Sequence, residues 1–238
     1  MLNIVIPMAG KGSRFSNVGY KLPKPLIEIN GVTMIEKVIK NLTPKKKHKF
    51  FFICQRDHLL NYDLESIFYK NCKSYEIISI EKITDGAACT VLLAKEFINN
   101  KESLMIANCD QYVDINIDDY LDAELNFDGY IMTMKSNETK WSYINYDKYK
   151  NIIGIIEKKV VSNDATVGIY NFSRGELFVQ NAEEMIMKND RVNNEFYVAP
   201  VYTYMAKKKF KLGIYDISGK MYGLGTPKDL ETFLKKFI

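Results

Sequence analysis

The apolar run Leu2–Pro7 breaks at once into Met8-Ala9-Gly10-Lys11-Gly12-Ser13-Arg14-Phe15, and Pro23-Lys24-Pro25-Leu26 follows a short way on. A short, continuous apolar run bounded by turn residues reads as a strand buried on both faces, the kind that parallel sheets use. Where such a strand opens into Gly-x-Gly-Ser-Arg, glycine lets the backbone approach a ligand closely, and successive N–H groups come free to face an anion. Arg14 and Lys24 supply the cations that a triphosphate needs. Two other phosphate-binding patterns fit less well. A P-loop requires Gly-Lys followed by Ser or Thr, and neither Gly10-Lys11 nor Gly219-Lys220 is followed by one. A dinucleotide fingerprint requires a third glycine and an immediate helix, whereas residues 15–25 read as a loop.

The rest of the chain alternates in the way such a strand demands. Residues 33–42 have helical periodicity, with Thr33 placed to cap and Glu36 three residues on. Strands are expected at 49–54, 74–80 and 103–107, with helices at 58–69 and 87–97 between them. After Gly129 the pattern becomes hairpin-like, with strands at 130–134, 141–146, 152–157 and 166–172. Helices at 175–187 and 196–206, a strand at 210–216 and a closing helix follow; Thr226, Pro227 and Asp229 mark the start of that helix. The expectation is one α/β domain over 1–238, with a Rossmann-like mixed, mostly parallel sheet and helices on both faces. Residues 1–128 form its nucleotide half and 129–238 its acceptor half.

Charge and cysteine usage exclude several partners. A net charge of +4, with short lysine runs at 45–47 and 207–209 and no basic stripe interleaved with aromatics, argues against nucleic acid. Cys54, Cys72, Cys89 and Cys109 lack any C-x-x-C spacing and read as free thiols of a reducing compartment. The N-terminus enters a strand directly and no long apolar span follows, so a cytoplasmic protein without a membrane partner is expected. His48 and His58 read as surface residues, and no Ser-His-Asp or Cys-His pairing suggests itself.

Two further segments carry chemistry. Asn108-Cys109-Asp110 follows the strand Ser103–Ala107, and an aspartate at the carboxyl end of a buried strand points into the ligand crevice. Magnesium takes one or two carboxylates and fills its octahedron with substrate phosphates and water, so one such Asp is adequate. A strand-ending turn would use the same residue; the glycine loop upstream favours the metal. In Thr84-Asp85-Gly86-Ala87-Ala88-Cys89-Thr90, small residues let a flat base pack against backbone at a helix start. Asp85 or Thr90 could bond a base edge, while Asp85 also suits a helix cap.

The glycine loop with its Pro-Lys-Pro-Leu resembles the signature of the nucleotidyltransferases that activate sugar phosphates and phosphocholine, G-x-G-[ST]-R followed by P-K-x-L. That resemblance spans nearly the whole chain. It implies Arg14, Lys24 and Asp110 as catalytic residues, with Asp110 on Mg2+. It implies Met8, Ala9, Gly10, Gly12, Ser13, Asp85, Gly86, Ala87 and Asn108 around the nucleotide. Glu157-Lys158 and the run 165–172 resemble the acceptor half, with Lys158 on the acceptor phosphate; a surface pair on a strand edge is the alternative for Lys158. Glu195 and Tyr197 sit in a segment resembling the acceptor pocket, where Glu195 faces a cationic group or opens a helix. Two departures stand out. Gly223 occupies the place of the family's second magnesium aspartate, so water, substrate oxygens or another acid such as Asp216 must complete the shell. Lys159 stands where a proline usually follows Glu-Lys.

The implied reaction is attack of an ionised acceptor phosphate on the α-phosphorus of a nucleoside triphosphate, with release of pyrophosphate and no general base. The opening motif, the length and the Gly-Leu-Gly-Thr-Pro ending resemble the cytidylyltransferases of capsule phosphoramidate synthesis, which implies CTP and phosphorylated L-glutamine. Sugar-1-phosphate and phosphocholine transfer are the alternatives within the family. A glycosyltransferase would want Asp-x-Asp where Asn108-Cys109-Asp110 stands, and a nucleotide sensor would have lost Arg14 and Lys24. The oligomeric state stays open.

Overall fold

In the computed structural model, which describes residues 1–237, Leu2–Pro7 lies between two parallel neighbours, His48–Gln55 and Ser103–Ala107. Tyr75–Ile80 extends the parallel sheet beyond His48–Gln55. From the first strand the chain steps outward twice, then returns to the first strand's other side. The carboxyl ends of Leu2–Pro7 and Ser103–Ala107 therefore flank a topological switch point, the place where open α/β sheets hold ligands.

Beyond this parallel core the sheet turns mixed. Asp164–Phe172 runs antiparallel to both Ser103–Ala107 and Gly129–Lys135, and Leu212–Asp216 lies parallel on the latter. Ser142–Tyr146 and Ile152–Glu157 form the expected hairpin, which completes a nine-stranded sheet running through both halves of the chain. Side chains alternate across it. Val5, Phe51 and Ile53 pack beneath the helices Ala87–Leu92, Gly175–Met187 and Val201–Lys207. Ile4, Ile6, Phe50 and Phe52 pack beneath Met34–Leu42, Leu64–Asn71 and Ile117–Ala123. On this second face Phe52 stacks on Phe68 with ring centroids 3.9 Å apart. Each such aromatic or aliphatic side chain contributes roughly 1.5–3 kcal/mol by leaving water, so the α/β sandwich is the expected outcome of the alternation. A third cluster joins Phe15 of the glycine loop to Leu224, Leu230 and Phe233, tying that loop to the C-terminal helix Pro227–Lys236.

Several expected elements take a different form. Residues 58–69 are two helices, Arg56–Asn61 and Leu64–Asn71, because Asp63 accepts from Ser66 N–H and caps a new start. Residues 87–97 break into Ala87–Leu92 and Lys95–Ile98 through three-residue turns at Leu93 and Ala94. The expected loop at 15–25 contains helical turns at Ser13–Ser16 and Lys24–Leu26. The helix expected from 196 begins only at Val201, since the Phe196 N–H donates to Asp85 O and its carbonyl accepts from the Ala88 N–H. The antiparallel pair Gln111–Val113 with Met221–Gly223 lies outside the strands expected from the sequence. His48 and His58 are partly buried rather than free on the surface.

Candidate active site

The site is built from the glycine loop outward. Met8 still follows strand register, donating its N–H to Ile53 O at 3.0 Å, and is buried. Immediately after it the pairing stops: among the described residues, the backbone N–H groups of residues 9–14 donate to no protein acceptor. Gly12 adopts φ +63°, a left-handed conformation that favours glycine, and its carbonyl accepts from Phe15 and Ser16 to start the turn Ser13–Ser16. Ala9, Gly10, Gly12, Ser13, Arg14 and Lys24 form one wall of a cleft of about 450 Å3. Thr84, Gly86, Ala87 and Thr90 form the opposite wall. Loop backbone with unpaired N–H groups thus shares the cleft with small residues.

Across the switch point, Lys24 Nζ lies 2.9 Å from Asp110 Oδ2, each side chain 22% exposed. Burial works against the Lys24 ammonium, but the neighbouring Cys109 and Asp110 outweigh it and hold its pKa above the usual lysine range. Burial pushes the Cys109 thiol above the ordinary cysteine range. Gly225 packs against this carboxylate: a Cβ there would stand 2.8 Å from Asp110 Oδ2. A second cavity of about 380 Å3 shares Arg14 and Gly225 with the first and is lined also by Asp110, Gln111, Trp141 and Asp229. Arg14 therefore faces both compartments, with Asp110 at their junction.

The four residues expected at the acceptor end come together. Lys158 has φ +55°, uncommon for a residue with a side chain, and its N–H donates to Trp141 O at 3.0 Å. Its ammonium bonds the Tyr197 hydroxyl and sits 4.6 Å from that ring's centroid. Glu157 beside it is buried and accepts from the Ser142 hydroxyl. Burial raises the Glu157 pKa, Ser142 and Lys158 oppose the rise, and the Glu195 charge adds to it. Glu195 in turn lines the first cleft. It pairs through its backbone with Val192 rather than opening a helix.

Three expected nucleotide contacts lie elsewhere. Asp85 points away from the cleft, 64% exposed and paired with Arg191 at 3.1 Å; Thr84 and Thr90, whose hydroxyls are 2.6 Å apart, hold the cleft wall instead. Met8 lies beneath the loop. Asn108 faces the second cavity, packed with Gln111 where Gly168 leaves room for no Cβ. Asp216 lines neither cavity and engages Ser218 and Lys135 instead, so it does not take the place of the acid missing at 223. Asp229 is the acid beside Gly223, whose added Cβ would come 3.7 Å from Asp229 Oδ2. Sequence alone marks Asp229 only as a helix cap, and it does accept from Thr226 Oγ1 at 2.6 Å. Trp141 carried no sequence signal beyond strand periodicity, and Gln111 carried none. Among the described residues no three His, Cys, Asp or Glu side chains cluster as a metal site. An Asp110 carboxylate with Asp229 in the same cavity still suits magnesium, which draws most of its shell from phosphate and water.

The nucleotidyl transferase family profile matches residues 4–230. The bifunctional protein GlmU of Methanococcus maripaludis is 24% identical over 212 residues, covering 81% of this chain and 48% of that protein. The chain spans about half the length of the curated relatives it matches. Among solved structures, the nucleoside-diphosphate-sugar pyrophosphorylase of Vibrio cholerae RC9 superposes with TM-score 0.84 at 25% identity, covering 98% of this chain and 99% of that one. The inositol-1-phosphate CTP transferase of T. maritima shares the fold, with TM-score 0.75 at 14% identity over 99% and 97% of the two chains. With a glycine loop, a Lys24–Asp110 pair and a matching profile over nearly its full length, the chain belongs to the nucleotidyl transferase family.

Proposed function

We propose that this chain transfers a nucleoside monophosphate from a nucleoside triphosphate to a phosphorylated small molecule, releasing pyrophosphate. The observation that carries it is the Lys24–Asp110 pair at the junction of two cavities, one walled by unpaired loop N–H groups and both touched by Arg14. The acceptor's phosphate oxygen, already ionised near neutral pH, forms a bond to the α-phosphorus while the bond to the bridging α,β-oxygen breaks, and its electrons leave on pyrophosphate. No proton has to move. Catalysis reduces to bringing two anions together: loop N–H groups and Arg14 neutralise the leaving phosphates, and Lys24 stabilises charge at the junction. Mg2+ held by Asp110, with Asp229 near, would supply further charge neutralisation on the phosphate oxygens.

For the acceptor we favour a phosphorylated compound that carries an amine. Glu157, Glu195 and the aromatic faces of Tyr197 and Trp141 suit a cation, while Lys158 suits the phosphate. In its finest form the proposal is CTP with phosphorylated L-glutamine, giving CDP-L-glutamine for capsule phosphoramidate modification; the resemblance in the opening and closing motifs supports it. A phosphorylated sugar is the second candidate, favoured by the names of the relatives. The test is a pyrophosphate-release screen of four nucleoside triphosphates against phosphorylated sugars, cholines and amino acids. Turnover with amine-bearing acceptors supports the first choice. Turnover with neutral sugar phosphates alone replaces it by the second, and no release with any acceptor removes the activity.

A further inference from the structure

Gln55 ends the strand His48–Gln55 and lies behind the glycine loop, outside the cleft. Its side-chain Nε2 donates to the carbonyl oxygens of both Ala9, at 2.9 Å, and Gly10, at 3.1 Å. Among the described residues no other group donates to either oxygen. A trans peptide unit is planar, with its C=O and N–H on opposite sides. The Ala9 carbonyl belongs to the same unit as the Gly10 N–H, and the Gly10 carbonyl to the same unit as the Lys11 N–H. Holding both oxygens toward Gln55 therefore turns the Gly10 and Lys11 N–H groups the other way. Gly10 and Lys11 line the cleft, and neither N–H has a protein acceptor. Glycine offers little resistance to rotation of its flanking peptides, and a Cβ at Gly10 would meet nothing within 4 Å. Packing does not fix the orientation of this segment; the Gln55 amide does.

We infer that Gln55 is a positioning residue for the phosphate cradle: one amide sets two consecutive peptide units so that their N–H groups face the triphosphate. The inference rests on the cleft being a triphosphate site. Preorganised donors need no rearrangement when charge develops against them, which is why their orientation matters to turnover as well as to binding.

Gln55→Glu keeps the shape but replaces the donor by an oxygen that repels both carbonyls, Gln55→Leu removes the donor without adding charge, and Gln55→Lys retains one. Calorimetric titration with inorganic tripolyphosphate, kinetics with each substrate varied, and melting temperatures distinguish the outcomes. Gln55→Glu and Gln55→Leu are expected to weaken tripolyphosphate by about tenfold or more and to lower turnover similarly. The acceptor KM and the melting temperature should stay near wild type, and Gln55→Lys should recover part of the loss. Wild-type tripolyphosphate affinity in Gln55→Leu, equal damage to the acceptor KM, or Gln55→Lys no better than Gln55→Leu would each overturn the assignment. Failure of the unaltered protein to bind tripolyphosphate would instead strike at the triphosphate site itself, and the inference would fall with it.

Discussion

At the scale of single residues, the site depends on close approach as much as on charge. At Gly225 a Cβ would meet Asp110 Oδ2 at 2.8 Å. Gly225→Ala should displace that carboxylate and lower turnover by about tenfold to a hundredfold, since small misplacements at a reacting centre are costly; the melting temperature should barely change. Turnover at wild-type level would show that Asp110 has room to spare. Glu157 supplies a pH dependence. Burial, first among the causes, raises its pKa above that of an ordinary glutamate. Only the ionised form attracts a cation, so affinity for an amine-bearing acceptor should be full above the raised value and fall as pH drops through it. That fall should begin at higher pH than for a solvent-exposed glutamate. The KM of a neutral sugar phosphate should not follow the same curve, and Glu157→Gln should flatten it. The resemblance singles out Arg14, Lys24, Asp110, Lys158 and Tyr197 in the sequence, and the fold brings Lys24 to Asp110 and Lys158 to Tyr197. Asp229 and Gln55 were not: each meets its partners through the fold alone, one as a helix cap beside Gly223, the other behind a loop 45 residues away.

Among the elements, boundaries were readable where a side chain writes them. Thr33 and Glu36 form a complete capping box on Met34–Leu42, with Glu36 also accepting from the Thr33 hydroxyl at 2.7 Å. Thr33→Ala should cost about 1 kcal/mol of stability, which a domain of this size shows as roughly 2–4 °C in melting temperature. No shift on denaturation would mean that the helix end is held by its packing alone. The Thr226 cap on Pro227–Lys236 was equally visible. What sequence periodicity missed has a common cause, backbone committed to distant partners. Phe196 looks helical but bonds the 85–88 loop, so the helix waits until Val201. Gln111–Val113 is too short to show alternation and exists because Met221–Gly223 pairs with it. That pairing brings Gly225 and the closing helix to Asp110, so an element invisible in the sequence frames the proposed metal site.

Over the whole molecule, the order of strands accounts for where the chemistry sits. The return of the chain to Ser103–Ala107 places Asp110 opposite the loop that follows Leu2–Pro7, and the mixed half of the sheet carries Glu157 and Lys158 to the same edge. Alternating strands and helices, with an apolar first strand, made this α/β plan legible early; the branching of the sheet at Asp164–Phe172 was not, since one strand pairing with three others leaves no local pattern. The walls proposed for the nucleotide and for the acceptor touch directly, through Phe196 against Gly86, where a Cβ would have no room. Gly86→Ala should therefore disturb both substrates, raising the KM for the triphosphate and for the acceptor together; a change confined to one would show the two walls to be independent. On the proposed function, Lys24 and Asp110 stabilise the transition state of nucleotidyl transfer. Acceptor-dependent pyrophosphate release by Lys24→Ala, measured at saturating concentrations of both substrates, tests it most directly. A fall in kcat of about a hundredfold or more with little change in triphosphate KM is the predicted result. An unchanged kcat with only a raised triphosphate KM would make Lys24 a ground-state phosphate ligand and rule out its role in the transition state.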